Sequence, residues 1–479
     1  MNLNLFAALP EIFVATMLVI MLLIDAFVSE QKKAVNTVIT MLTLIGACIL
    51  QIIVFVPGTI PVAFNKMFVL DTLAEGMKLL VYIFSIVIVL YVKQYITDKK
   101  TLKGEFYAIF LFAILGMQVM ISADNLLILY VGLELLSLAL IGLVALNRDN
   151  VRATEAAMKY FILTALASGI LLYGISFIYG ATNQLQLELV FRAIYANASK
   201  NGGMLVFGLV FIVAGLVFKL GLAPFHMWVP DVYEGGQLSA VTIIGSISKL
   251  AGVVFVIRFL IGGLVLLSHE WALMLSVLAY LSLFIGNVVA IAQTNIKRML
   301  GYSTIAHMGF VAFGLMTVTV NGISAVLFYT ITYVLTALAG FGVLLLLSKD
   351  GFECEKIEDL SGLSKSHPVY AAIMLLVMFS LAGIPPLAGF YAKFTILQAL
   401  VEVGYIRTAV YAVILSLIGA FYYLRVVKVM YFDEKDIGLQ AANATFITRG
   451  VLVINGGLIL FIGIMPKGLL HFCSMLVTG

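Results

Sequence analysis

Apolar stretches about as long as a bilayer crossing recur along the whole chain, separated by short polar joints. An α-helix rises about 1.5 Å per residue, so about 20 apolar residues cross the hydrocarbon core. The pattern predicts fourteen such helices, at 5–27, 35–56, 67–92, 106–121, 125–146, 154–179, 204–229, 238–260, 271–291, 302–318, 323–347, 370–401, 408–431 and 451–470. The expected fold is an all-α polytopic membrane protein forming one transmembrane domain over 1–479. The first stretch has no basic leader and no small-residue cleavage site, so it reads as a retained helix.

An internal repeat underlies the pattern. Gly116 to Asn125 resembles Gly286 to Asn295, 170 residues on. Thr164-Ala-Leu-Ala167 returns as Thr336-Ala-Leu-Ala339, and Gly221-Leu-Ala-Pro224 as Gly383-Ile-Pro-Pro386. The matches keep their order and pair segments 4–8 with segments 9–13. Five is odd, so the second unit enters from the opposite face. This predicts two inverted five-helix repeats, over 105–262 and 271–432, after three N-terminal helices (1–104) and before a last helix (449–479). Inverted repeats place transport sites near the midplane, at discontinuous helices. Pro224 and Pro230 interrupt segment 7, and Pro385 and Pro386 interrupt segment 12. Proline removes a backbone donor and clashes with the preceding turn, so both helices should break.

Composition agrees with the pattern. The chain is 63% hydrophobic and 11% charged, against about 25% charged in soluble domains. Of 28 Lys and Arg, 17 fall in one set of alternate loops and helix ends and 6 in the other. The basic set should face the cytoplasm, which places both termini outside. The basic residues form no run longer than a pair, which excludes a nucleic-acid partner. Cys48, Cys354 and Cys473 form no CxxC and no Cys/His cluster, and no nucleotide-binding glycine motif is present. No cofactor and no metal is expected in this chain.

The costly residues are the buried charges. Glu134, Lys219, Lys249 and Lys393 lie inside predicted spans. Each charge at the bilayer centre opposes insertion by about 2.5–3.5 kcal/mol, so the four together oppose it by roughly 10–14 kcal/mol. Static ion pairs between helices are the structural alternative. The functional reading is proton transfer: burial favours neutral lysine, a nearby carboxylate favours charged lysine, and a movable pair switches between them. His226 and His307 are candidate links, because histidine titrates near neutral pH. Glu155 and Lys159, spaced i,i+4, read as a local pair. Lys78 and Glu75 lie outside the repeats and read as structural.

Three runs carry a family resemblance. They are FKLGLAPFHMWVPDVYEG at 218–235, IKRMLGYSTIAHMG at 296–309 and SLAGIPPLAGFYAKF at 380–394. They resemble signatures of the antiporter-like membrane subunits of bacterial NADH:quinone oxidoreductase (respiratory complex I), and the likeness extends over nearly the whole chain. Lys393 and the short C-terminus favour the N-type over the M- and L-type subunits. One departure is Gly236-Gln-Leu238 after the Tyr-Glu-Gly, where the family usually has Ala-Pro. The resemblance implies that Glu134 modulates Lys219, that Lys219 is the pumping lysine, and that Lys249 relays. It implies that His307 continues the path and that Lys393 is the exit. It also implies neighbouring antiporter-like and other membrane subunits of the complex as partners, with redox centres elsewhere, and an inner-membrane location. A subunit of a multisubunit sodium/proton antiporter is the alternative; Val232-Tyr-Glu-Gly235 favours the first.

Overall fold

The computed structural model describes residues 4–27, 34–56, 60–99, 104–348, 352–434 and 444–479. Six of the basic residues used for orientation, Lys32, Lys33, Lys100, Lys103, Lys349 and Lys435, lie outside these, as do the side chains of Lys99 and Lys200. Helices dominate: α1 Leu9–Phe27, α2 Ala34–Val54, α3 Thr72–Lys99, α4 Glu105–Ser122, α5 Leu126–Ala145, α6 Val151–Thr182, α7 Leu187–Leu220, α8 Trp228–Gly235, α9 Leu238–Gly245 and α10 Ile247–Ile257. There follow α11 Ser268–Ile291, α12 Ile296–Leu315, α13 Val320–Leu347, α14 Leu363–Ser366, α15 Pro368–Ala382, α16 Ala388–Glu402, α17 Ile406–Phe432, α18 Phe446–Ile464 and α19 Lys467–Thr478. A two-residue hairpin, β1 Val62–Ala63 with β2 Phe68–Val69, joins α2 to α3.

Twelve helices among the described residues are long and apolar enough to cross a membrane. The other two predicted crossings fall short of that test for physical reasons. Helix α12 carries Lys297, Arg298 and His307, and segment 12 is split into α15 and α16. Helix α13 and the segment Leu238–Gly263 are wholly enclosed by the protein, whereas most of α1, α17 and α18 faces outward.

The repeat is built from the same local devices twice. Asn125 caps α5 by accepting a hydrogen bond from the Leu127 amide, and Asn295 caps α12 by accepting from Arg298. Such caps satisfy amides that a helix start leaves open. Both asparagines also sit in isolated bridges, with Gln186 and Lys356. A Cβ at Gly116 would lie 2.6 Å from the Leu136 nitrogen, and one at Gly286 2.7 Å from the Ala306 nitrogen. These two glycines therefore let α4 meet α5, and α11 meet α12, backbone to backbone. The units are α4, α5, α6, α7 with α8, and α9 with α10; then α11, α12, α13, α15 with α16, and α17.

Both predicted breaks occur, by one mechanism. Gly221 (φ +82°) ends α7 and Gly383 (φ +88°) ends α15. The Gly221 and Leu222 amides donate back to the Val217 carbonyl, and those of Gly383 and Ile384 to the Phe379 carbonyl. This is the left-handed glycine cap, open to glycine because it lacks a Cβ. Each cap is followed by a cis X-Pro bond, Ala223–Pro224 or Pro385–Pro386.

Three segment predictions need correction. Segment 8 is not one continuous helix. It breaks between α9 and α10 at Ser246 (φ −122°, ψ −95°) and ends in a wider π turn over Arg258–Gly263. No proline marks this break; the Ser246 hydroxyl instead bonds the Thr242 carbonyl, a back-bond that bends helices. Segment 14 divides at Pro466 into α18 and the short α19. Helix α7 starts at Leu187, well before the predicted 204, because the polar turn ahead of the apolar run is helical too.

Candidate functional site

A helix break strands backbone carbonyls that need a donor inside the bilayer. In each repeat a lysine supplies it. Lys249 of α10 donates from Nζ to the Leu220 carbonyl at 2.9 Å, and Lys393 of α16 donates to the Ala382 carbonyl at 2.9 Å. Leu220 and Ala382 are equivalent, each directly preceding the left-handed glycine. The two lysines reach the break from different helices: Lys249 from the next segment, Lys393 from the far half of the same one. The Trp228 indole donates to the Phe218 carbonyl at 3.1 Å, and Lys249 Nζ lies 5.2 Å from the Trp228 ring centre.

Lys219 lies one residue before Leu220, 6% exposed, and Lys249 is 2% exposed. They are close enough to repel, and Glu134 is close enough to attract Lys219. Lys219 Nζ approaches Ser137 Oγ at 3.5 Å, whereas Glu134 makes no ion pair among the described residues and its Oε1 is buried without a partner. Glu134 is half-buried. The structure thus brings Glu134, Lys219 and Lys249 into one electrostatic cluster without locking the carboxylate onto either lysine.

The second repeat holds His307, 6% exposed. Its Nδ1 meets the Tyr329 hydroxyl at 2.7 Å and its Nε2 meets the Tyr423 hydroxyl at 3.1 Å. Tyr423 in turn meets Ser303 Oγ at 2.5 Å. Thr304, one residue along α12, meets the Tyr333 hydroxyl at 2.8 Å and the Tyr233 hydroxyl at 3.2 Å. Tyr233 belongs to α8 of the first repeat and lies against Gly245, at the α9–α10 break that also positions Lys249. These contacts form two runs, Tyr233–Thr304–Tyr333 and Ser303–Tyr423–His307–Tyr329, with the Tyr333 and His307 ring centres 5.2 Å apart, and together they lead from the first repeat's break into the second repeat. Lys393 lies within electrostatic reach of His307, 5.5 Å from the Phe310 ring centre. His226, by contrast, sits half-buried in the α7–α8 connection with Nδ1 unpartnered, outside this chain of contacts.

Two small cavities flank the chain at equivalent places. One lies between Ser137, Tyr160, Thr164, Ser168, Lys219 and Trp228. The other lies between His307, Tyr329, Thr332, Tyr333, Thr336 and Ser380. Ser137 and His307 are 170 residues apart, and Thr164 and Thr336 are 172 apart, the offsets of the repeat. Each offers about 10 Å³ to a water molecule, room for one.

Sequence reasoning missed Tyr233, Ser303, Thr304, Tyr329, Tyr333 and Tyr423. The available signal was spacing: Ser303, Thr304 and His307 share one face of α12, and Tyr329, Tyr333 and Thr336 share one face of α13. Both lysines judged structural are paired, and Glu75 accepts a hydrogen bond from the Gln51 amide. Lys159 meets Glu155 at 2.8 Å and also Asp231 at 3.0 Å. Lys78 pairs with Glu11 in the protein interior.

Two corresponding five-helix units, each with a broken helix whose loose end is held by lysine, define this chain as an antiporter-like membrane protein. The family described as NADH:quinone oxidoreductase/Mrp antiporter, transmembrane, matches residues 123–419. The chain is 51% identical over 476 residues to NADH-quinone oxidoreductase subunit N of Laribacter hongkongensis, covering 98% of this chain and 97% of that one. It is 46% identical to the subunit N of Methylovorus glucosotrophus, covering 99% and 98%. The chain belongs to the NADH-quinone oxidoreductase subunit N family. A chain of respiratory complex I from Thermus thermophilus is 30% identical with a TM-score of 0.81, over 96% of this chain and 98% of that one. The Mrp complex of a Dietzia species shares the fold at 17% identity, with a TM-score of 0.85 over 99% and 97%.

Proposed function

We propose that this chain is a proton-translocating, non-redox membrane subunit of NADH:quinone oxidoreductase. Protons pass from the Glu134–Lys219 pair to Lys249, through the hydroxyl chain and His307, and leave by way of Lys393. His226 stands as a side route at the exposed connection. The carrying observation is the pair of lysine-held breaks, Lys249 on Leu220 and Lys393 on Ala382.

The chemistry follows from charge and burial. Two neighbouring ammonium groups inside a low-dielectric core repel strongly, so a proton arriving at Lys219 favours release from Lys249. Withdrawal of Glu134 removes the attraction that holds the proton on Lys219 and pushes in the same direction. Hydroxyls and imidazole both give and accept protons in hydrogen bonds, so Tyr233, Thr304, Tyr333 and His307 can pass one on without holding charge. No step requires a redox group in this chain. The energy comes from quinone reduction in other subunits of the complex, which are its partners together with neighbouring antiporter-like subunits and the lipid bilayer. The reading places fourteen crossings in the cell inner membrane, both termini outside, divided into 1–104, the repeats 105–262 and 271–432, and 449–479.

The test is proton pumping by assembled complexes reconstituted in vesicles. Lys219→Ala, Lys249→Ala and Lys393→Ala should each lower protons moved per electron. Full pumping in all three would overturn the reading.

A further inference from the structure

Outside both repeats, α1, α2 and α3 enclose a second set of ionisable groups that the path above does not use. Glu11 of α1 is 6% exposed, Gln51 of α2 0%, and Glu75 and Lys78 of α3 6% and 0%. Lys78 Nζ pairs with the Glu11 carboxylate and lies 4.5 Å from the Phe68 ring centre. The Gln51 amide donates to Glu75 Oε2. Asp71 directly precedes α3, and Glu75, Lys78, Tyr82 and Ser85 follow on it. Their spacing of 4, 3, 4 and 3 puts them on one face. Tyr82 and Ser85 are fully buried, with hydroxyls that find no partner.

The set holds two acids and one base. Fully ionised, it would carry a net negative charge inside the protein. An unpaired buried charge is among the costliest features a core can hold, and such groups neutralise instead. Lys78 makes its ion pair with Glu11 and only lies within electrostatic reach of Glu75, so one base serves two acids and Glu75 has no ion pair of its own among the described residues. The other charged or titratable groups facing the set do not supply one. Arg258 is held by Asp71 through two bonds of 2.6 Å, Cys48 and Tyr82 can only add negative charge, and Gln51 is neutral. A second observation points to the same ligand. Gln51 Oε1 is buried and lacks any donor. A carboxylic acid and a primary amide can exchange two hydrogen bonds, N–H to one carboxyl oxygen and O–H back to the amide oxygen. A proton on Glu75 is the donor that Gln51 lacks.

We propose that the three N-terminal helices contain a proton-binding site, Glu75 with Gln51, Glu11 and Lys78, which holds one proton at neutral pH. The ligand is a proton and not a metal cation, because Lys78 already holds Glu11 and no group of three or more metal-ligating side chains occurs among the described residues. The number of protons held equals the number of acids minus the number of bases. That rule separates this site from a static ion-pair scaffold, which would hold none.

The test is difference infrared spectroscopy of the intact complex in lipid at neutral pH, reading the carbonyl stretch of protonated carboxylic acids and its shift in heavy water. Wild type minus Glu75→Gln should show one acid band, lost from the variant. Lys78→Met leaves two acids and no base, so its acid signal at this site should double. In Glu11→Gln, Lys78 turns to Glu75 and the band should vanish, an arm that holds should Lys78→Met fail to assemble. No band between wild type and the near-isosteric Glu75→Gln would overturn the proposal, as would a band that persists in Glu11→Gln.

Discussion

Lys249 allows a structural role to be separated from a proton-carrying one. Its Nζ fills the Leu220 carbonyl at 2.9 Å in a site that is 2% exposed. In Lys249→Ala that carbonyl loses its donor, and an unsatisfied buried polar group costs about 1–3 kcal/mol. At 1.36 kcal/mol per factor of ten, local opening of the break should become about 5- to 150-fold more frequent. Lys249→Gln keeps a donor of similar reach but cannot carry a proton. Hydrogen exchange of the backbone amides around Gly221, read by mass spectrometry on the assembled complex, measures the structural part. Pumping by the same samples measures the transfer part. Exchange should rise in the Ala variant and stay near wild type in the Gln variant, while pumping falls in both. If Gln restored pumping along with exchange, Lys249 would be a helix cap and the transfer reasoning would fail.

Three further outcomes follow from the same geometry. Tyr423→Phe removes the hydroxyl shared by His307 and Ser303, which should slow pumping while the complex still assembles, with a local loss of about 1–3 kcal/mol; unchanged pumping would take Tyr423 out of the path. Gly116→Ala and Gly286→Ala each drive a methyl into a facing backbone nitrogen, at 2.6 and 2.7 Å. Each should lower thermal stability by about 1–3 kcal/mol, checked by native-gel assembly and melting in detergent. Asp71, just before α3, supplies a pH test. Burial pushes its carboxyl up, but the charge and hydrogen bonds of Arg258 outweigh that and leave it below the ordinary carboxylate range. Its contribution is therefore complete above about pH 3.9 and disappears as pH falls through the lower folded value. Asp71→Asn should cost about 3 kcal/mol at neutral pH and remove that part of the acid loss, read by melting across pH.

What the sequence made legible was whatever is expensive in a bilayer. Glu134, Lys219, Lys249 and Lys393 stood out because each opposes insertion, and the α7 and α15 breaks because Gly and Pro announce them. What it hid is cheap there. Tyrosine, serine and threonine are common in apolar helices, so Tyr233, Thr304, Tyr333, Tyr329 and Tyr423 carry no signal beyond helical spacing until three helices meet around His307. The Ser246 break was hidden for a related reason: a serine that bends a helix by bonding its own backbone looks like any serine. Pro466 was a readable signal, and the apolar residues on both sides of it masked the division between α18 and α19. Lys78 and Glu75 were visible, but their partners Glu11 and Gln51 lie on other helices, so the excess of acid over base emerged only in three dimensions.

The most direct measurement of the proposed path is the structure of the assembled complex at a resolution that reveals ordered water. The account predicts water in both symmetry-related cavities, beside Lys219 and beside His307, and bridging water between Lys249 and the Tyr233–Thr304 hydroxyls. A dry apolar gap there, with Lys219, Lys249 and Lys393 each fixed to a permanent carboxylate partner, would contradict it.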